Sequence, residues 1–275
     1  MRIGYLGPEG TFSHEAASLW QKEKYQREGE MVIFSSFSKL IEAVSREVEE
    51  GVVPIENMLE GGINSSLDPI IFGKDKLKIK GEIIIPIQLN LIGERELKLE
   101  EIEKVVSKKE ALSQCLKWIE KNLPQAKLEF SLSTAEAIKN VSGKTVAVGS
   151  LFAASLYGKK VIAQAIQEHP DNATRFIVLS SQDSLFPTGQ DKTSIIFQVP
   201  NQPGSLKEAL EIFAVLEINL TKISSRPSKR RLGEYIFWID LEGHRKEKDV
   251  SLALNLLKKK ATFFKNLGSY PKAKK

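Results

Sequence analysis

Three serine–acid pairs are the first chemistry visible in this sequence. Ser65 and Asp68, Ser107 and Glu110, and Ser133 and Glu136 each place a hydroxyl three residues ahead of a carboxylate. That is the spacing of a capping box, in which the serine and the acid satisfy two orphan N–H groups at a helix start. Each pair alone needs no more than helix capping to explain it. Several helix starts at strand ends do more, because each carries partial positive charge and free N–H groups that attract carboxylates and phosphates. In an open α/β domain, ligands bind at those strand ends. The pattern predicts a site for a small anion.

Other chemistries find no support. The sequence holds no Gly-x-Gly-x-x-Gly, no Walker A loop, no His-Glu-x-x-His and no Gly-x-Ser-x-Gly. Cys115 is the single cysteine, so an internal disulfide and a Cys-x-x-Cys zinc site are both excluded. It shares an apolar stripe with Leu112 and Ile119 and reads as core. His14, His169 and His244 lie far apart without ligand spacing, so a metal is not expected. His14 follows a turn and reads as capping or packing; His169 precedes Pro170 in a loop. The net charge is +5, with local runs at Lys258, Lys259 and Lys260 and at Lys272, Lys274 and Lys275. These read as a solvated helix face and a basic tail. A nucleic-acid site needs a basic stripe with aromatic or groove-reading partners, which is lacking. Net positive charge suits an anionic substrate. No stretch nears the ~18 apolar residues of a membrane span, and the N-terminus does not read as a secretory signal. A cytoplasmic protein is expected.

The elements that must position such a site follow from periodicity. Hydrophobic residues make up 41% and charged residues 27%, a globular balance with enough apolar mass for a core. Short apolar strands are predicted at 2–6, 31–34, 52–55, 83–92, 102–106, 145–148 and 176–179, with Pro86 marking a bend or an edge. Helical stripes run between them: Ala16, Ala17, Leu19 and Trp20 behind an N-capping Ser13; Phe37, Leu40, Ile41, Val44 and Val48; Leu112, Cys115, Leu116 and Ile119; and a helix from Ser150 to near Gly158. Strands alternating with helices indicate an α/β domain with mostly parallel sheets. A polar linker with Pro187 and Gly189 occupies 182–191. Beyond it, strands at 193–199, 220–223, 234–242 and 263–269 and two helical stripes give β-α-β-β-α-β, a ferredoxin-like order.

Several segments resemble prephenate dehydratases along nearly the whole chain. They are Gly7-Pro-Glu-Gly-Thr-Phe-Ser-His-Glu-Ala-Ala17; Val53-Pro-Ile-Glu-Asn57 through Glu60, Gly61, Asn64, Leu67 and Asp68; Glu110-Ala-Leu-Ser-Gln-Cys115; Ser133-Thr-Ala-Glu-Ala137; and Ala154-Ser-Leu-Tyr-Gly158. The most specific is Asp171-Asn-Ala-Thr-Arg-Phe176, similar to the family's Asn-x-Thr-Arg-Phe signature. Asn201-Gln-Pro-Gly-Ser-Leu206 and Ile223-Ser-Ser-Arg-Pro227 resemble the two effector motifs of the family's ACT domain.

The resemblance implies a catalytic part at 1–181, two-lobed like periplasmic solute-binding proteins, and an ACT domain at 192–275. Lobe one is expected at about 1–75 plus 165–181 and lobe two at 76–164. It implies loss of water and CO2 from prephenate to give phenylpyruvate, without a cofactor, with phenylalanine as allosteric effector. Thr174 is expected to offer a hydrogen bond to the leaving hydroxyl, Arg175 a planar fork to a carboxylate, and Glu56 a proton. Thr11, Ser13, Asn57, Ser107, Gln114, Ser133, Asn172 and Phe176 are the expected substrate contacts. Gly204, Ser205, Leu206, Asn219, Ser224, Ser225, Arg226 and Pro227 are the expected effector contacts. The start at Met1 leads us to expect a monofunctional enzyme, and the ACT domain a homodimer or homotetramer.

The sequence departs from the family pattern at five positions. Met58 stands for a usual serine, Lys108 for a histidine, Gly62 for a serine, Ser205 for an alanine and Ser224 for a glutamate. Arogenate as substrate and a non-catalytic sensor on the same frame are alternatives at this stage. The missing glycine fingerprint argues against a nicotinamide-dependent dehydrogenase.

Overall fold

A computed structural model describes residues 1–25, 29–73 and 76–273. Lys274 and Lys275 of the expected basic tail lie outside the described residues. The chain begins β1 (Arg2–Leu6), α1 (Phe12–Tyr25), β2 (Glu30–Phe34), α2 (Phe37–Ala43), β3 (Glu50–Asn57), β4 (Gly61–Gly62), α3 (Asn64–Phe72) and β5 (Lys78–Pro86). It continues β6 (Asn90–Gly93), β7 (Lys104–Ser107), α4 (Lys109–Ser113), α5 (Leu116–Asn122), β8 (Lys127–Phe130), α6 (Thr134–Lys139), β9 (Thr145–Gly149), α7 (Leu151–Leu156) and β10 (Lys160–Ala163). β11 (Ala173–Ser180) follows. The last part is β12 (Asp191–Gln198), α8 (Ser205–Val215), β13 (Leu220–Pro227), β14 (Tyr235–Glu242), α9 (Lys248–Lys260) and β15 (Phe263–Pro271).

Three sheets result. The first has the order β2-β1-β3-β11-β5, the second β10-β6-β9-β7-β8 and the third β13-β14-β12-β15. The first two are mixed. β1 runs parallel to β2 and β3, whereas β11 is antiparallel to both β3 and β5. The reason is the path of the chain, which leaves lobe one after β5, builds the second sheet and returns as β11. The third sheet is the ferredoxin-like module.

β5 corrects the expected lobe boundary. The stretch 76–86 belongs to lobe one, because β5 pairs with β11 along its length, from Ser180 opposite Lys78 to Ala173 opposite Pro86, with one register shift between Val178 and Leu179. Ile83 and Ile85 are buried in the core beneath α1. The apolar run 83–92 is therefore two strands in two sheets, divided after Pro86, which lacks an N–H for the ladder and sits on an edge strand. The chain crosses between lobes at 87–89.

The third module is packed hard against lobe one. One face of its sheet lies under α8 and α9, with Phe197, Ile239, Leu241 and Leu257 buried. The other face contributes Ile196, Trp238, Leu267 and Tyr270 to the same core as Ile55, Ile79, Ile177 and Leu179 of lobe one.

Two of the three expected capping boxes are absent. Ser107 donates its hydroxyl to the Val148 carbonyl at 2.6 Å instead of capping α4. α3 starts at Asn64, and Ser66 rather than Ser65 is tied down, donating to the Pro54 and Ile63 carbonyls. Ser133 does cap α6, accepting from the Glu136 N–H at 3.0 Å. In α1 the cap is Thr11, whose side chain accepts from His14 N–H at 3.3 Å and whose carbonyl accepts from Glu15 N–H; Ser13 lies inside the first turn.

α1 sits on β5 through a close approach at Gly81. A Cβ there would lie 2.4 Å from Trp20 Cη2. Trp20 cannot yield, since its indole N–H donates to the buried Glu50 carboxylate at 2.6 Å. Gly81→Ala is expected to cost about 1–3 kcal/mol through overpacking, read as a lower denaturant midpoint. An unchanged midpoint would show that the indole has room to shift.

Candidate active site

The site is built around one side-chain pair on two neighbouring antiparallel strands. Asn57 ends β3 and stands opposite Thr174 of β11. Its amide Nδ2 donates to Thr174 Oγ1 at 2.9 Å, and to Asn172 Oδ1 at 3.0 Å. Its Oδ1 accepts from the N–H groups of Leu59 and Glu60, each at 3.0 Å, which locks the amide orientation. Thr174 is 7% exposed. The oxygen of Thr174 is already an acceptor, so its own proton is available to a further acceptor in the cleft.

A bulge aims this pair. The β3–β11 register shifts between Arg175 and Phe176: Arg175 faces Glu56, yet Phe176 faces Pro54. Ile55 is the extra residue, and such a bulge reverses the alternation of faces beyond it. Pro54 and Asn57 therefore line the cleft, while Ile55 and Glu56 turn to the opposite side.

Lobe two closes the other wall. Asn172 Nδ2 donates to Gln114 Oε1 at 3.0 Å, so a chain of amides runs from Thr174 through Asn57 and Asn172 to the end of α4. The cleft between the lobes is about 510 Å3. Thr11, Ser13, Ser133 and Lys108 line it at the starts of α1, α6 and α4, and Ile63 and Ser65 at the start of α3. Phe12, Phe37, Ile87, Leu89 and Phe176 give it apolar walls. A larger open groove of about 740 Å3 runs beside β2 and α2, but the amides and hydroxyls converge in the smaller one.

The geometry corrects two expected catalytic groups. Arg175 does not line the cavity. Adjacent residues of a strand face opposite ways, and Arg175 turns its guanidinium to Asp240, to Glu82 at 3.1 Å and to Glu56 at 3.4 Å. Burial opposes its charge, and Asp240, Tyr270 and Glu82 more than compensate, raising its pKa. Glu56 is turned away by the bulge and pairs with Lys222 at 3.0 Å. Ser107 is buried and bonded to Val148, outside the cavity. Met58 is exposed and does not line it either.

Lys108, which the sequence shows only as a departure from the family histidine, is brought by the structure to the cavity wall. It is the one cation lining the cavity among the described residues, with Glu60 and Glu110 the acids. Its sequence signals are its place directly after a strand-end serine and its standing at a family histidine position. His14 is outside the cavity: it stacks on Tyr5 at 4.6 Å, accepts from Gly10 N–H at 3.1 Å, and burial lowers its pKa against the pull of Glu9.

The expected effector residues divide between two faces. Gly204 takes a positive φ of 87° and opens α8, so Ser205 and Leu206 form its first turn. Asn219 donates to Glu242 at 3.3 Å. On the edge strand β13, Ile223, Ser225 and Pro227 are exposed. Ser224 and Arg226 alternate to the other face. Arg226 is thereby corrected as an effector contact: it is committed to Asp68 of α3, at 2.9 and 3.0 Å. Ser224 Oγ is buried there without a hydrogen-bond partner.

A family model described as prephenate dehydratase matches residues 3–184, and one described as ACT domain matches residues 193–255. A bifunctional chorismate mutase/prephenate dehydratase of Aquifex aeolicus is 45% identical over 276 residues, covering 99% of this chain and 74% of that protein. A prephenate dehydratase of Bacillus subtilis is 35% identical, covering 88% of each. The crystal structure of prephenate dehydratase from Arthrobacter aurescens in complex with L-Phe superposes with a TM-score of 0.88 at 32% identity, covering 98% of this chain and 90% of that one.

Cys115 is fully buried beside the site and burial pushes its thiol up to about 12. The folded chain is expected not to react with a thiol reagent at pH 8, and to react fully in denaturant. Rapid native labelling would show that the α4–α5 region opens readily.

Proposed function

The chain belongs to the prephenate dehydratase family and converts prephenate to phenylpyruvate, water and CO2, under feedback control by phenylalanine; from that premise we propose which residues do it. The ring hydroxyl departs with its bonding electrons. The carboxyl at the same ring leaves as CO2, and its electron pair completes the aromatic ring. No electron carrier is needed. The protein has to hold a dianion and stabilise a departing hydroxide.

Thr174 stabilises the leaving oxygen by donating a hydrogen bond. The single observation that carries this is the 2.9 Å bond from Asn57 Nδ2 to Thr174 Oγ1. It occupies the oxygen and turns the hydroxyl into a positioned donor. A threonine is a poor acid, so its contribution is electrostatic, and the departing hydroxide becomes water by taking up one proton from solvent acid, hydronium or buffer, per turnover. Asn57, held by Leu59 and Glu60, is the orienting group.

Lys108 binds one carboxylate. It stands about half exposed at the cavity wall, 3.4 Å from Glu110, and can exchange that acid for the substrate. The hydroxyls of Thr11, Ser13 and Ser133 and the backbone at the start of α1 serve the other. The apolar walls take the ring.

In the third module, Gly204, Ser205, Leu206, Asn219 and the Ile223–Ser225–Pro227 face of β13 are the proposed phenylalanine contacts. A homodimer or homotetramer joined there is part of this reading, supported by the free edge of β13. So is a cytoplasmic location; among the described residues no helix is long and apolar enough to cross a membrane.

Two kinetic outcomes test this. Thr174→Ala is expected to lower kcat by about 100-fold or more with KM little changed; parental kcat would remove Thr174 from the chemistry. Lys108→Met is expected to raise KM for prephenate by about 10-fold, as for a lost charge-assisted contact worth ~1.5 kcal/mol, with Lys108→Arg close to parent. Assaying arogenate alongside checks that the keto acid is the preferred substrate.

A further inference from the structure

β11 presents different chemistry on its two faces. Thr174 faces the cleft, and Arg175, the next residue, faces the sheet of the C-terminal module. There it enters a closed cluster of six charges. Asp240 of β14 and Glu82 of β5 hold its guanidinium, with Glu56 of β3 at 3.4 Å. Lys192 of β12 reaches Glu82 at 2.9 Å, and Lys222 of β13 reaches Glu56 at 3.0 Å. Asp240 is fixed from its other oxygen by Ser194 at 2.6 Å and the Trp238 indole at 2.7 Å. Arg175, Lys192 and Lys222 balance Glu56, Glu82 and Asp240, so the net charge is zero. Three of the six come from lobe one and three from the C-terminal module.

The placement of this cluster matters more than its size. Arg175 is bonded to Thr174 through the backbone, and Glu56 to Asn57. Arg175 faces Glu56 in the same register that sets Thr174 opposite Asn57. The distance between the two cleft side chains is thus fixed from behind by a pair whose partners belong to the other module. The backbone ladder between β3 and β11 is interrupted by the register shift next to this pair, between Arg175 and Phe176, and misplacement of a reacting group by about 1 Å can cost on the order of 100-fold in rate.

We propose that Arg175 and Glu56 are positioning residues for Thr174 and Asn57, and that Asp240 and Lys222 of the C-terminal module complete the active site from behind. This rests on the reading of Thr174 as the hydrogen-bond donor. The module is then part of the catalytic structure as well as its regulator. Lys222 and Arg226 share one face of β13, and Arg226 grips Asp68 of α3, whose first turn lines the cleft. β13 therefore touches both walls of lobe one that meet the substrate.

The test uses the full chain, with steady-state kinetics on prephenate and a thermal melt for each variant. Lys222→Met and Asp240→Asn each remove one charge, and Lys222→Arg keeps it. Both charge-removing variants are expected to lose about 10-fold or more in kcat with KM within about two-fold, and Lys222→Arg to restore kcat. Parental kcat in a folded Lys222→Met, or a loss confined to KM, overturns the proposal and leaves the cluster as a clamp between modules. Asp240 is fully buried; should Asp240→Asn fail to fold, the Lys222 series decides, because Glu56 is 37% exposed on its side chain and tolerates losing a partner. A silent Lys222→Met beside an inactive Thr174→Ala refutes only the positioning role. An active Thr174→Ala refutes the donor reading itself.

Discussion

The antiparallel pairing of β3 with β11 is the constraint on which the rest depends. It brings together segments 117 residues apart, Asn57 and Thr174, and closes lobe one after the chain has built lobe two. One bulged residue in that ladder decides the function of three others. It sends Asn57 to the cleft and Glu56 to the seam, and so sets the hydroxyl of Thr174 against an amide instead of a carboxylate. A carboxylate there would repel a dianionic substrate, whereas an amide donates to the threonine without adding charge.

The two sides of this strand pair use electrostatics in opposite ways. The cleft sets neutral amides, hydroxyls and helix starts beside Thr174, with Lys108, Glu60 and Glu110 as its charged lining. The seam concentrates charge in a neutral, largely buried cluster, Glu56 being its most exposed member. Buried ion pairs are poor sources of net stability, because desolvation consumes most of the Coulomb gain, but removing one partner is costly. They are better suited to fixing one arrangement than to holding two modules together. The apolar contacts of Trp238, Tyr270 and Leu267 with Ile177 and Leu179 supply the adhesion. The charges then select the register.

The architecture of β13 follows from the same alternation. One face carries Lys222, Ser224 and Arg226 toward lobe one, and the other carries Ile223, Ser225 and Pro227 outward. A ligand or second chain on the outer face therefore acts on a strand already bonded to the back of the site. That arrangement needs no long pathway, since the strand is a single rigid element with contacts at both ends.

Composition and periodicity by themselves determined the classes of element, the ferredoxin-like order of the last third, and the presence of helix starts at strand ends. Local patterns suffice for these, because helical and strand periodicity are properties of neighbouring residues. The motif around Thr174 was legible too, and so was the core role of Cys115. The directions of side chains were not. Arg175 and Arg226 are expected as ligands of small molecules because a guanidinium suits a carboxylate, and each instead binds a carboxylate of the protein, while Glu56, expected as a proton donor, pairs with Lys222 and Arg175. Ser107 looked like a cap and became a buried tie to Val148. Only the tertiary structure could decide these, because the face a residue occupies depends on the residue count between paired strands, and that count is set by a partner far away in the chain.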